Sequence, residues 1–115
     1  MTDNVHWNLA LTIKDGREAE FEALVKDLVQ STEGEEGALN YEWHRDGQDV
    51  RIYERYSDSD AVMTHLGNFG PFTERFTEIM SVDELSVYGP ASPEVREAMS
   101  GFGAKFYDQV AGFDR

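Results

Sequence analysis

The chain has 115 residues, no cysteine, and 23 acidic against 10 basic side chains, for a net charge of −13. This length fits one domain that buries roughly 60–70% of its unfolded surface, and the missing Cys excludes disulfides, thiolate nucleophiles and Cys-ligated zinc. The acidity disfavours a phosphate backbone as partner, no apolar run approaches the ~20 residues of a membrane span, and MTDNVHWNLALTI does not read as a secretory leader, so a cytoplasmic protein with no nucleic-acid or membrane partner is expected.

Residues 5–13 (VHWNLALTI) alternate, placing Val5, Trp7, Leu9, Leu11 and Ile13 on one face of a strand. Asp15-Gly16 turns the chain, and Asp15 with Glu18 three residues on reads as a capping box. Phe21, Leu24, Val25, Leu28 and Val29 recur at helical spacing, so the sequence predicts an amphipathic helix over 17–31, ended by Glu33-Gly34-Glu35-Glu36-Gly37. Residues 38–45 and 50–56 are two aromatic-rich strands joined through Asp46-Gly47-Gln48-Asp49. Pairing straight out from that turn sets Trp43 opposite Ile52, Tyr41 opposite Glu54 and Leu39 opposite Tyr56 on the helix-facing side. Asn40, Glu42, His44, Arg51, Tyr53 and Arg55 take the other side, with His44 paired to Arg51.

Ser57-Asp58-Ser59-Asp60 starts a helix carrying Ala61, Val62, His65 and Leu66 on one stripe, and Asn68 to Pro71 break it. Phe72, Phe76, Ile79 and Met80 carry a second helical piece, and residues 82–88 a last strand. The order β-α-β-β-α-β is that of the ferredoxin-like plait, an α+β fold. Residues 1–88 form this core. Residues 89–115 are an extension of the same domain, with a helix begun by Ser92-Pro93 and an apolar face of Val95, Ala98, Met99, Phe102 and Phe106. One sheet face stays open in such a plait. A second copy could cover it, and the extension could clasp that copy or fold back on its own chain.

EGALNYEWHRD, then VRIYERYSDSDAVMTHL, then NFGPF, between Glu36 and Phe72, resemble the antibiotic biosynthesis monooxygenase family. Its pattern is a Gly-led strand ending in Y-E-x-H-R-D, a strand carrying E-R-W or E-R-Y, and a helix with A-x-x-x-H-L. Leu11, Lys14, Gly16 and Phe21 fit its first strand and helix, and the resemblance covers about residues 5–88. It implies a dimeric α/β barrel with a pocket between helices and sheet, and cofactor-independent oxidation of phenols, quinols or polycyclic aromatics by O2. The haem-degrading branch works with an Asn, a Trp and a His where this chain has Leu9, His65 and Phe76, so haem degradation is not expected. The aromatic-polyketide branch also has Trp where His65 stands; the simple quinol-oxidising branch fits best.

The face assignment directs Glu54 toward the helices and His65 toward the sheet. A carboxylate and an imidazole in an aromatic-lined cleft are what proton removal from a phenol requires, so His65 and Glu54 are the catalytic candidates. Trp7, Leu9, Tyr41, Trp43, Tyr56, Phe72 and Phe76 are the candidate substrate-pocket wall. The electrons come from the substrate, so no cofactor is expected. No metal site is expected either, because the three His lie on different elements. The plainer readings are a hydrogen-bonded core histidine for His65, a structural tie to a Tyr or Arg for Glu54, and an incidental His6. Beside the enzyme stand two other functions: a dimeric barrel that binds or senses a hydrophobic small molecule, and a structural domain with a solid core.

Overall fold

A computed structural model describes residues 2–115. Strand β1 (Val5–Ile13) leads to helix α1 (Glu18–Glu33), then β2 (Ala38–Asp46), β3 (Asp49–Tyr56), helix α2 (Ser59–Phe69), a 3-10 turn (Gly70–Phe72), α3 (Thr73–Ile79), β4 (Met80–Tyr88), α4 (Pro93–Ser100) and β5 (Lys105–Tyr107). The sheet runs β2-β3-β1-β4-β5, antiparallel throughout except for the parallel β4–β5 pair. This is the mixed α+β, ferredoxin-like plait expected, with a fifth strand that the sequence reading took for helix. Phe106 sits in that strand beside Val87. No helix among the described residues is long and apolar enough to cross a membrane.

The hairpin register follows from a two-residue turn, Gly47-Gln48, with Gly47 at φ +60. It places Tyr41 opposite Glu54 and Trp43 opposite Ile52, as read from the sequence. At the far end the register slips. Ala38, not Leu39, pairs with Tyr56, and Leu39 is left out of the ladder and exposed. A second slip lies between β1 and β4, where Ala10 pairs with Glu84 and Leu11 with Val82. The sequence demands it: apolar Val82, Leu85 and Val87 stand at spacings of three and then two. The bulge turns Asp83 outward, where its Oδ2 accepts from Thr12 Oγ1 at 2.6 Å.

Asp15 does not cap α1. The turn through Gly16 (φ +77) extends two residues further, Arg17 takes the N-cap position without a side-chain bond, and Asp15 Oδ1 instead accepts from Gln48 Nε2 at 2.8 Å. Asp58 does cap α2, accepting from the Ala61 N–H at 2.8 Å, and Ser92 caps α4. The expected break at Asn68 falls later. Helix α2 continues to Phe69, and Pro71 sits in the first turn of the short 3-10 segment, where its missing N–H costs nothing. Met80 begins β4, paired with Ile13, and does not end a helix.

All four α-helices contribute to burying one sheet face. One core cluster joins Phe21, Leu24 and Leu28 of α1 and Phe76 and Ile79 of α3 to Leu11, Val50 and Ile52. The other joins Val62 of α2 and Val95 and Met99 of α4 to Val5, Trp7, Tyr56, Leu85 and Val87. Leu9 packs against both. Helix α4 and strand β5 of the extension thus pack on their own chain. The chain leaves β4 at Gly89 (φ +98), where a Cβ would lie 2.3 Å from the Asn4 carbonyl oxygen, so only glycine lets it turn there.

Candidate active site

A cavity of about 60 Å³ lies where the two core clusters meet. By the same measure one water needs roughly 10–15 Å³, so the sheet and helices do not pack solid here. Trp7 and Leu9 of β1, Tyr41 and Trp43 of β2, Glu54 of β3, His65 and Phe69 of α2, Phe76 of α3, Val82 and Leu85 of β4, and Met99 and Phe102 of the extension are among the residues that line it.

Two residues expected in the wall stand elsewhere. Tyr56 is fully buried behind Trp7, the rings stacked at 4.9 Å, and meets the site through its hydroxyl and through its ring, 4.8 Å from that of His65. Phe72 packs partly buried against the first core cluster, because the 3-10 turn carries it away from the cavity. Among the other sequence readings, His44 and Arg51 stand directly opposite each other across β2 and β3, as expected, while their side chains bond carboxylates of their own strands: His44 Nε2 sits 3.2 Å from Glu42 Oε1 and Arg51 bonds Asp49. His6 is packed against Tyr53 and Tyr88 on the opposite sheet face, and burial followed by the charge of Arg55 lowers its pKa.

The polar centre of the cavity wall is a chain of buried groups. His65 Nδ1 lies 3.0 Å from Glu35 Oε1 and 3.2 Å from its Oε2, and Nε2 lies 3.3 Å from Glu54 Oε1. All three side chains are 5–6% exposed. The Tyr56 hydroxyl donates to the same Glu54 Oε1 at 2.6 Å. Both contacts fall on Oε1; Glu54 Oε2 accepts no hydrogen bond among the described residues. Burial by itself pulls the His65 pKa down. The hydrogen bond and charge of Glu54, with the charge and hydrogen bond of Glu35, outweigh it, so the net direction is up. His65 is therefore held toward the imidazolium, with an N–H for each carboxylate. Burial, then the charge of Glu54 and its hydrogen bond, push the Tyr56 phenol far up, which keeps it a donor.

Glu35 escaped the sequence reading, which took its segment only as a helix end. The one local signal was Gly37. A Cβ on Gly37 would stand 2.4 Å from the Ala61 Cβ, so this glycine lets the α1–β2 loop lie directly on α2 and brings Glu35 to His65. The two carboxylates sit on opposite sides of the imidazole and do not converge on one point. Among the described residues no three His, Asp or Glu side chains form a metal-binding group. What the arrangement can do is move a proton: a carboxylate at a cavity wall, steadied by a buried tyrosine and a cation that is itself anchored from behind.

A search of curated proteins returns no match. Among solved structures the chain is similar to MupZ from Pseudomonas fluorescens, at 22% identity and TM-score 0.89 over 100% of this chain and 91% of that one. It is similar to Rv0793 from Mycobacterium tuberculosis, at 19% identity and TM-score 0.68 over 77% and 96% of the two chains. It is also similar to SnoaB, a cofactor-independent oxygenase from Streptomyces nogalater, at 16% identity and TM-score 0.67 over 79% and 96%. These likenesses establish the fold. Residues 5–82, from β1 into β4, match the model of the family described as antibiotic biosynthesis monooxygenase, and the chain belongs to that family.

Proposed function

We propose that this protein is a cofactor-independent oxidase or monooxygenase of a phenolic or quinol-type aromatic molecule, with Glu54 as the base and His65 as its cationic partner. One observation carries the reading: an otherwise aromatic and aliphatic cavity has, at its wall, a carboxylate with one free oxygen, held by Tyr56 and by an imidazole anchored on Glu35. A phenol gives up electrons far more readily once deprotonated. Glu54 takes the hydroxyl proton, the apolar wall keeps water from the anion, and O2 is the oxidant. A hydroquinone then yields its quinone while O2 becomes H2O2. A substrate CH2 group becomes C=O with one oxygen atom retained and the other released as water. Trp7, Leu9, Tyr41, Trp43 and Phe76 hold the ring. Family membership supports the reading, as does the fold shared with SnoaB.

A second copy of the chain is proposed to cover the open sheet face, where Val110 and Phe113 of the C-terminal segment stand 93% and 81% exposed. Two such side chains left in water favour a partner surface. Sedimentation should give twice the 13.1 kDa chain mass; a monomer at micromolar concentration refutes this part.

The test of the activity is oxygen uptake by purified, metal-free protein against a panel of hydroquinones and anthrones, corrected for spontaneous oxidation. Uptake above background that His65→Ala and Glu54→Gln abolish is expected. Ligand-dependent thermal stabilisation with no oxygenated product would overturn catalysis in favour of a binding protein.

A further inference from the structure

We propose that Tyr41 is a further catalytic residue of this cavity, its hydroxyl donating to the ligand oxygen from which Glu54 takes the proton. The proposal rests on the activity above and extends it from a base to a base and an oxyanion donor acting on one atom.

Tyr41 and Glu54 are directly opposed on β2 and β3, on the same face, and both line the cavity. Opposed same-face residues have Cβ atoms roughly 4.5–5.5 Å apart, so the two side chains rise from neighbouring points of the cavity wall. Their hydrogen-bonding states are complementary. Glu54 Oε1 is taken by Tyr56 and faces His65, while Oε2 is open to accept. The Tyr41 hydroxyl closes no hydrogen bond within normal geometry among the described residues. Trp43 and Thr32 are its polar neighbours, and Trp43 Nε1 has no hydrogen-bond partner of its own. A wall residue needs only a ring. This one presents a hydroxyl beside a carboxylate, in a cavity otherwise lined mainly by apolar groups.

The step balances without an external reagent. The substrate O–H bond breaks, its proton joins Glu54 to give a carboxylic acid, and the electron pair stays on the substrate oxygen. One negative charge moves from Glu54 to that oxygen, so the cavity's net charge is unchanged, and Tyr41 supplies the hydrogen bond the new oxyanion requires. Burial, reinforced by the charges of Glu54 and Glu35, keeps Tyr41 protonated, so it enters as a donor and not as a second anion.

The experiment uses the full chain and 4-nitrophenol, whose phenolate absorbs visible light. The ratio of phenolate to phenol in the bound probe is read at fixed pH in the wild type and in Tyr41→Phe, which keeps the ring. A hydrogen bond to an anion contributes enough to lower this ratio about tenfold when removed. For a turned-over hydroquinone, kcat should fall similarly with KM little changed. Replacing Tyr41 by 3-fluorotyrosine, which keeps the size and sharpens the donor, should raise the ratio. It also serves as the test if Tyr41→Phe folds poorly. An unchanged ratio in either variant, with wild-type oxygen uptake intact, overturns the role of Tyr41 and leaves the proposed activity standing. A wild type that neither binds 4-nitrophenol nor consumes oxygen with any phenol overturns both.

Discussion

Replacing Glu35 by Gln tests the buried chain most directly, because it keeps the shape and an acceptor but deletes one charge. Glu35 lies 3.0 Å from His65 Nδ1, with both side chains 6% exposed, so solvent screens this pair little. A hydrogen bond to a charged group contributes about 1.5–3 kcal/mol. For 115 residues, an unfolding entropy of about 2.1 cal/mol/K per residue converts 1 kcal/mol to about 4 °C, so Glu35→Gln should lower Tm by roughly 6–12 °C while His65 is charged. The sign of the pH dependence follows from the His65 pKa, which is raised in the folded protein. The folded state then holds the proton more tightly than the unfolded chain. The stabilisation is fully present below the unfolded value of 6.5 and is lost as pH rises through the elevated folded value. Urea titrations of both proteins from pH 6 to pH 10 should show a gap that narrows upward, alongside an NMR titration of the His65 ring that moves to lower pH in the variant. A gap of constant size across that range would refute the charged-pair account.

Gly37→Ala should cost about 1–3 kcal/mol by driving the loop off α2, and Ala61→Gly in the same chain should recover part of it; urea midpoints of the single and double variants check this. Tyr56→Phe removes the 2.6 Å bond to Glu54 but keeps the ring on Trp7, so a loss of about 1–3 kcal/mol is expected, measured by chemical denaturation; a loss below about 0.5 kcal/mol would mean the bond is not formed. Val82→Trp places a large side chain at the half-exposed cavity wall. Oxygen uptake and ligand-dependent stabilisation should vanish while Tm stays within about 4 °C, and retained activity would locate the site elsewhere. Gly89→Ala forces a Cβ against the Asn4 carbonyl at positive φ and should cost about 1–3 kcal/mol by the same assay.

What could be read locally was read from the sequence alone. The alternation of β1, the helical stripes of α1 and α2, the Asp58 and Ser92 caps and the two-residue turn that registers β2 on β3 are each set by residues a few positions apart. That register was enough to put Tyr41, Trp43 and Glu54 on one face, and the α2 stripe enough to aim His65 at them. Contacts between distant segments were decided by packing. Glu35 and His65 are 30 residues apart, and nothing around Glu35 distinguishes it from the other acids of its turn until Gly37 seats the loop on Ala61. Tyr56 and Phe72 read as wall because they are aromatic and near the site in sequence, yet one ring is covered by Trp7 and the other is swung aside by a 3-10 turn. Asp15 had a cap to make, and lost it to Gln48 from a strand turn 33 residues away. Strand β5 exists only because β4 offers an open edge for its three residues to join. Periodicity carries which face a side chain takes; only the closed fold decides which buried charges meet, because their pairing is selected by desolvation that no isolated segment experiences.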